Sequence, residues 1–261
     1  MQNNNQISPA PSDSYAQSFA RGLSVILAFG PSTPLMTLTE VAGVTGLTRA
    51  GARRILLTLE YLGYVSQENR KFSLTPKILD LGYSYLSANP LWELATPYME
   101  EVVQQTGETC TISVLEGNDI VYIMRVATHR IMSVNLSIGS RLPAWATSMG
   151  RILLGGVTEK QLDSILSTSN IIGFTPRTVT DIESLKNIIA LSRQRGFCFV
   201  NEELEEGLQS IAVPIFGRDG RIIAAMNVGG HANRVNRAGL LEIVLPHLQN
   251  AAFKISQLLK V

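Results

Sequence analysis

The sequence is short of the residue types that most chemistry needs. Cysteine occurs twice in 261 residues, at Cys110 and Cys198. Two positions so far apart give no disulfide framework, and two buried thiols of a cytoplasmic protein are the expectation. Histidine occurs three times, at His129, His231 and His247, none with a second histidine or cysteine at metal-ligand spacing. No metal site is expected. Gly-x-Ser-x-Gly, the P-loop and a Gly-x-Gly-x-x-Gly after a strand are all missing, so the commonest signatures of acyl, phosphoryl and hydride transfer are absent. No excess of one charge exists either: 22 Lys and Arg face 21 Asp and Glu, a net charge of +1. That implies no polyanion-binding tail. No apolar run approaches the roughly 20 residues of a membrane span. The opening MQNNNQISPAPSDS (1–14) has neither a positive n-region nor an apolar h-region, so a disordered lead-in is expected rather than a signal peptide. What remains is a composition 45% hydrophobic and 16% charged, in a chain long enough for two domains with real cores.

The most informative stretch runs from Thr37 to Tyr64, TLTEVAGVTGLTRAGARRILLTLEYLGY. LTEVAGVTG reads as a short helix that Thr37 or Thr39 can cap, because a threonine oxygen accepts from the unpaired amides of a first turn. Gly46 suits the sharp turn that follows. A second helix starts near Thr48, with Ala52, Ile55, Leu56, Leu59 and Leu62 at the three-and-four spacing of one buried face. Arg53 and Arg54 point away from that stripe and Arg49 flanks it. Tyr64-Val65-Ser66, a polar turn from Gln67 to Lys71, and Phe72-Ser73-Leu74 read as a hairpin, the wing of a helix-turn-helix. An ordinary helical hairpin with a solvated arginine face is the bland alternative. No acidic residue occurs between Thr48 and Leu59, which favours DNA. Over residues 1–75 six cations face four acids, so charge is focused on one helix rather than abundant. Thr48, Arg49, Ala50, Arg53 and Arg54, with Arg70 and Lys71 of the wing, are the expected DNA-facing residues.

Around this core, Ser18–Phe29 has helical spacing and would support the helix-turn-helix from behind, with residues 30–34 (GPSTP) as a breaker loop. Pro76 can open a helix. Its residues Ile78, Leu79, Leu81, Tyr83, Tyr85 and Leu86 are apolar on more than one face, which predicts packing on a second copy or on the next domain. Asn89-Pro90 is the expected boundary. The expected division is thus 1–14 lead-in, 15–75 DNA-binding domain, 76–89 linker helix and 90–261 second domain. In that second domain the pattern predicts a helix from Leu91 to Gln105 and strands at Thr109–Leu115, Ile120–Val126 and Ile131–Leu136. A loop at Gly139–Pro143 and a short helix from Thr147 to Leu154 follow. Helices at Glu159–Leu166 and Asp181–Arg195 come next, then strands at Phe197–Val200, Ser210–Phe216 and Arg221–Val228, and a closing helix from Asn236. Strands flanked by helices, with hairpins, make this an α+β domain with an antiparallel or mixed sheet.

Catalytic groups are hard to find in it. Glu202, Glu203, Glu205 and Glu206 read as a solvated loop. Ser148 stands near a helix start with no base placed beside it. An enzyme acting on a small carboxylate through residues 90–261 is the alternative reading; no catalytic residue is assigned and no cofactor is expected. Trp92 and Trp145 read as structural, although Trp145 lies in the loop entering the Thr147 helix.

Four passages together are specific: LTEVAGVTGLTRAGARRILLTLEYLGYV, FSLTPKILDLGYSYL, IGSRLPAWATSMGRILL, and GFCFVNEELEEGLQSIAVPIF with GRIIAAMNVGG. They make the chain resemble the IclR family of bacterial transcription regulators over about residues 15–258. RIMSVNLSIGSRLPAWATSMGR and LTPKILDLGYSYLSA resemble the branch that controls aromatic-acid catabolism through the β-ketoadipate pathway, such as the protocatechuate, 4-hydroxybenzoate and catechol regulators. The resemblance implies a winged helix-turn-helix, a linker helix and a GAF-like effector-binding domain. It also implies double-stranded operator DNA as partner, homodimers or homotetramers, and switching by a small carboxylate effector, an aromatic acid first among them. In the family's pattern the start of the helix at Thr147, Ser148, Met149 and Gly150 cradles an effector carboxylate, as free amides at a helix N-terminus favour an anion. Ser210 and Asn227 match polar positions on facing strands. Gly229 stands where some members have a hydroxyl, which leaves room for a ring, and Trp145 and Met149 would supply apolar walls.

Overall fold

The computed structural model describes residues 15–88, 91–128, 136–234 and 237–260. The expected lead-in 1–14, the boundary at Asn89-Pro90, His129, Asn236 and all but Leu136 of the expected strand Ile131–Leu136 fall outside these residues. The chain divides into two compact units, Met1–Tyr85 and Leu86–Val261.

In the first unit, α1 (Gln17–Leu27), α2 (Leu38–Thr45) and α3 (Arg49–Tyr61) surround a core of Val25, Val41, Ala42, Ala52, Leu56 and Leu59. Thr37 caps α2: its oxygen accepts from the Glu40 amide, while the Glu40 carboxylate accepts from the Thr37 amide at 2.7 Å. That reciprocal pair satisfies two donors that the helix cannot. Gly46 follows with φ 68°, a conformation that costs glycine little, and Thr48 caps α3 through the Gly51 amide. Strands β1 (Met36–Thr37), β2 (Val65–Glu68) and β3 (Lys71–Leu74) form a small antiparallel sheet in the order β1-β3-β2. Its tip is a two-residue turn, Asn69 and Arg70, both at positive φ, the geometry that matches strand twist in a tight hairpin. The predicted stripe on α3 is narrower than expected: Ala52, Leu56 and Leu59 are buried, Ile55 half-buried, and Leu62 is 47% exposed as the helix runs past the core. After a 3-10 turn at Pro76–Ile78 comes α4 (Leu79–Ser87).

The second unit begins with α5 (Leu91–Thr106). Strands β4 (Cys110–Glu116), β5 (Asp119–Val126), β6 (Arg141–Pro143), β7 (Cys198–Asn201), β8 (Leu208–Phe216) and β9 (Ile222–His231) make one fully antiparallel sheet, order β6-β5-β4-β9-β8-β7. The edge strand β6 occupies part of the expected Gly139–Pro143 loop. It is legible only as a partner of β5, because three residues carry no alternation of their own. On one face pack α5 and α10 (Leu245–Leu258), the latter reached through a short helical turn α9 (Arg237–Gly239) and a π-helical stretch, Leu240–Val244. On the other lie α6 (Ser148–Leu154), α7 (Glu159–Thr168) and α8 (Ile182–Arg195). All seven residues of α6 are buried, as a helix between sheet and outer helices must be. A bulge between Ile215 and Phe216 shifts the pairing, so Ile222 rather than Ile223 continues the α6-facing side and Ile223 turns outward.

Candidate functional site

In the first unit the expected DNA-facing residues lie on exposed ground. Arg49, Ala50, Arg53 and Arg54 sit on the outer side of α3, Arg70 at the hairpin tip and Lys71 beside it. Thr48 is exposed, but its hydroxyl oxygen is engaged in capping α3 at 3.1 Å from the Gly51 amide. Arg70 stands in the left-handed turn at the hairpin tip, so α3 and the hairpin each present cations to solvent.

In the second unit the sheet face toward α6 holds a cavity of about 70 Å³. At roughly 10–15 Å³ per enclosed water, that is room for a handful of waters or a small ring. Strand register explains its floor. Arg125 on β5, Thr111 on β4, Asn227 on β9 and Ala212 on β8 are direct cross-strand neighbours. One step along, Gly229 pairs Ser210, which pairs Val200. Thr111 donates its hydroxyl to Asn227 Oδ1, which leaves the Asn227 amide group as a donor. Ser210 donates to Ser148 Oγ at 2.9 Å, linking β8 to the start of α6. Met149 roofs the site, and its sulfur accepts from Ser113 at 3.2 Å. Leu136, Leu142, Leu204 and Leu208 supply apolar walls. Apolar walls with a few convergent polar groups are the usual make-up of a small-molecule site.

Of the eight effector residues expected from the sequence, Thr147, Ser148, Met149, Ser210, Asn227 and Gly229 line this cavity. Trp145 does not. It is buried in the core, in the 3-10 turn Ala144–Ala146, and its ring stacks on Phe174 with centroids 5.7 Å apart. Gly150 does not line it either. A Cβ there would stand 2.0 Å from the Ala144 carbonyl oxygen, so this glycine permits a close backbone crossing. Its amide donates to Thr147 Oγ1 at 3.0 Å and is not free for a ligand. The amides of Ser148 and Met149, the first two of α6, have no acceptor within the helix.

The acidic run also departs from expectation. Glu203 is buried, and its carboxylate takes a bidentate pair from Arg151, Nη1 at 2.8 Å and Nη2 at 2.6 Å. Arg151 Nε donates to the Trp145 carbonyl at 2.9 Å, and Glu203 Oε2 also accepts from the Val179 amide. A solvated loop was the expectation because one acid in a run of four carries no local mark of burial.

Sequence reasoning missed Arg125, Tyr122, Thr109 and Thr111 as lining residues. The signal was available only through pairing: alternation puts Thr111 and Arg125 on one side of their strands, but not opposite Asn227. Burial raises the Tyr122 phenol well above its ordinary range, partly opposed by the Arg125 charge, so it stays a neutral donor. Both cysteines are buried with their thiol pKa raised, mainly by desolvation.

Comparison with known proteins gives concordant matches. The family described as Bacterial transcriptional regulator IclR C-terminal matches residues 83–257, and the IclR helix-turn-helix domain matches residues 18–69. The Pca regulon regulatory protein of Pseudomonas putida is 44% identical over 91% of this chain and 82% of its own length. The p-hydroxybenzoate hydroxylase transcriptional activator of Acinetobacter baylyi is 34% identical, covering 94% of this chain and 93% of its own. Among solved structures, an IclR homolog from Microbacterium hydrocarbonoxydans complexed with 4-hydroxybenzoate superposes with a TM-score of 0.82 at 26% identity, over 93% of this chain and 99% of that one.

Proposed function

The chain belongs to the IclR family of bacterial transcriptional regulators, and from that premise we propose that it binds operator DNA through α3 and its wing under the control of an aromatic acid held between α6 and strands β4, β8 and β9. One observation carries this reading: the cavity on the α6 face brings the Ser148–Ser210 hydroxyl pair, the Asn227 amide and apolar leucine walls together in one site. Relatives that regulate Pca and p-hydroxybenzoate hydroxylase genes support an aromatic acid, as does the 4-hydroxybenzoate bound by the Microbacterium chain. The division at 15–75, 76–89 and 90–261 is retained as the functional one.

An enzymatic role is disfavoured. Ser148 Oγ has the Ser210 hydroxyl beside it, and no imidazole or carboxylate lines the cavity among the described residues. Among those residues no helix is long and apolar enough to cross a membrane. The protein acts in the cytoplasm, where its operator lies. Leu79, Leu81, Tyr83 and Tyr85 of α4 are exposed, which supports a homodimer or homotetramer; Leu86 packs on the core of the second unit instead.

The test has two readouts. A thermal-shift screen of aromatic and short-chain acids should raise the melting temperature with at least one aromatic acid, since a ligand that binds only the native state stabilises it. The same acid should change operator affinity in a mobility-shift assay, which requires different effector affinities in the two conformations. Turnover of the acid by the purified protein would instead support an enzyme.

A further inference from the structure

Among the described residues the cavity lining carries one formal charge, and it is positive. Its lining has Arg125 and no aspartate or glutamate among the described residues. The sequence around it is equally one-sided: no acidic residue occurs from Ile120 to Thr158, the stretch that includes most of β5, β6 and α6. Arg125 is half-buried, and its hydrogen-bond partner among the described residues is the Leu136 carbonyl, which accepts from Nη1. Its Nε and Nη2 have no acceptor among the described residues. The neighbouring Tyr122 is a neutral phenol and does not compensate it. A guanidinium withdrawn from water without a counter-charge is unfavourable, and an anion arriving beside it relieves that cost.

The direction in which it points is fixed by register. Arg125 lies at one end of the row Arg125–Thr111–Asn227–Ala212, and Ser210 belongs to the strand at the other end. Three strand spacings across and two residues along β8 separate Arg125 from Ser210, roughly 16 Å at the backbone. The arginine stem covers part of that span, and the leucine walls line what is left. The start of α6 stands at the Ser210 end, where Ser210 donates to Ser148 and the Ser148 hydroxyl hydrogen is not used in that bond. The geometry points to Arg125 as the group that holds the effector's carboxylate, with the Ser148–Ser210 pair taking the polar substituent at the far end of the ring. In 4-hydroxybenzoate that substituent would be the phenolic hydroxyl. This rests on the effector reading above and reverses the polarity that a helix-start cradle for the carboxylate implies.

The test compares acids with their neutral amides. Calorimetry on the full chain would use 4-hydroxybenzoate, benzoate, protocatechuate and two short-chain monocarboxylates, each beside its amide. The unsubstituted protein should prefer the acid. Arg125→Gln should weaken acid binding by about 30-fold or more, as loss of one partner of a buried charge pair does, and leave the amide within about threefold. Arg125→Lys, which keeps the charge without the planar fork, should retain a preference for the acid with affinity lowered about tenfold. Ser210→Val should keep the acid-over-amide ratio and erase the advantage of 4-hydroxybenzoate over benzoate. An unchanged acid-over-amide ratio in Arg125→Gln, or that ratio collapsing in Ser210→Val instead, overturns the assignment while the effector site stands. If Arg125→Gln does not fold, unchanged acid affinity in Arg125→Lys overturns it equally. If no acid binds the unsubstituted protein, the effector reading fails, and this one with it.

Discussion

Removing one side of the buried Arg151–Glu203 pair tests whether α6 and the loop before β8 are locked together. The pair is fully formed: two guanidinium N–H groups meet two carboxylate oxygens at 2.8 and 2.6 Å, and the third donor, Nε, reaches the Trp145 carbonyl. The arginine side chain is 1% exposed and the glutamate 10%. In Glu203→Gln the guanidinium keeps its burial and loses its counter-charge. In Arg151→Met the carboxylate keeps only the Val179 amide among its charge-stabilising partners. Breaking such a pair from one side costs about 3–5 kcal/mol, because the remaining charge is left uncompensated. For a unit of this size, Leu86–Val261, a kilocalorie shifts the midpoint by roughly 2–4 °C, so each single variant should lower the melting temperature of that unit by about 6–20 °C. The double variant Arg151→Met/Glu203→Leu should recover much of the loss, since apolar replacement of a buried pair is often close to neutral. Calorimetric melting of all four proteins supplies the cycle. Effector affinity should fall with stability in the single variants, because Leu204, next to Glu203, and Ser148, three residues before Arg151, both line the cavity. A Glu203→Gln protein melting within about 2 °C of the parent, with a double variant no better than Arg151→Met alone, would refute the argument.

Other outcomes follow from the same geometry. Gly150→Ala would drive a methyl into the Ala144 backbone 2.0 Å away; the backbone must shift, and chemical denaturation should show a loss of at least about 2 kcal/mol. Ser210→Val should keep the fold and lower affinity for a hydroxylated aromatic acid by about 1–3 kcal/mol in calorimetry, the cost of a hydrogen bond lost and a buried Ser148 hydroxyl left unpaired. Arg53→Ala and Arg54→Ala should weaken operator binding with unchanged melting. A base contact would cost about 1–3 kcal/mol at its own base pair, whereas a phosphate contact would weaken all sequences alike and reduce the salt slope; unchanged affinity for operator and random DNA in both variants would remove these arginines from the interface. Leu81→Glu with Tyr83→Glu should shift the assembly toward smaller species in light scattering, and the operator footprint should show half-sites separated by whole helical turns; a parent protein that is monomeric at micromolar concentration and still binds operator tightly would count against that interface.

Much of the fold follows from local chemistry. The capping threonine at 37, Gly46 in its left-handed turn and the helix start at Thr48 all announce themselves within a few residues. Their free energies are local, and so is their sequence signature. Helix-turn-helix, hairpins and the α+β class were therefore readable in chain order. Edge strand β6 was not, because three residues gain strand character only from hydrogen bonds to β5.

The cavity divides along the same line. Ser210, Asn227 and the Thr147–Met149 helix start were named from the family pattern, and they meet on one side of the sheet. That Trp145 stacks on Phe174 instead of lining the cavity, and that Gly150 is a crossing point rather than a ligand donor, depend on how the Ala144–Ala146 turn packs against α6. Arg125 and Glu203 show the limit most clearly. In sequence each is one charged residue among others. Antiparallel register sets Arg125 in a row with Thr111 and Asn227, and burial of α6 carries Arg151 to Glu203 across more than fifty positions of chain. Charge acquires its meaning from what shares its low-dielectric surroundings, and those neighbours are chosen by tertiary packing alone.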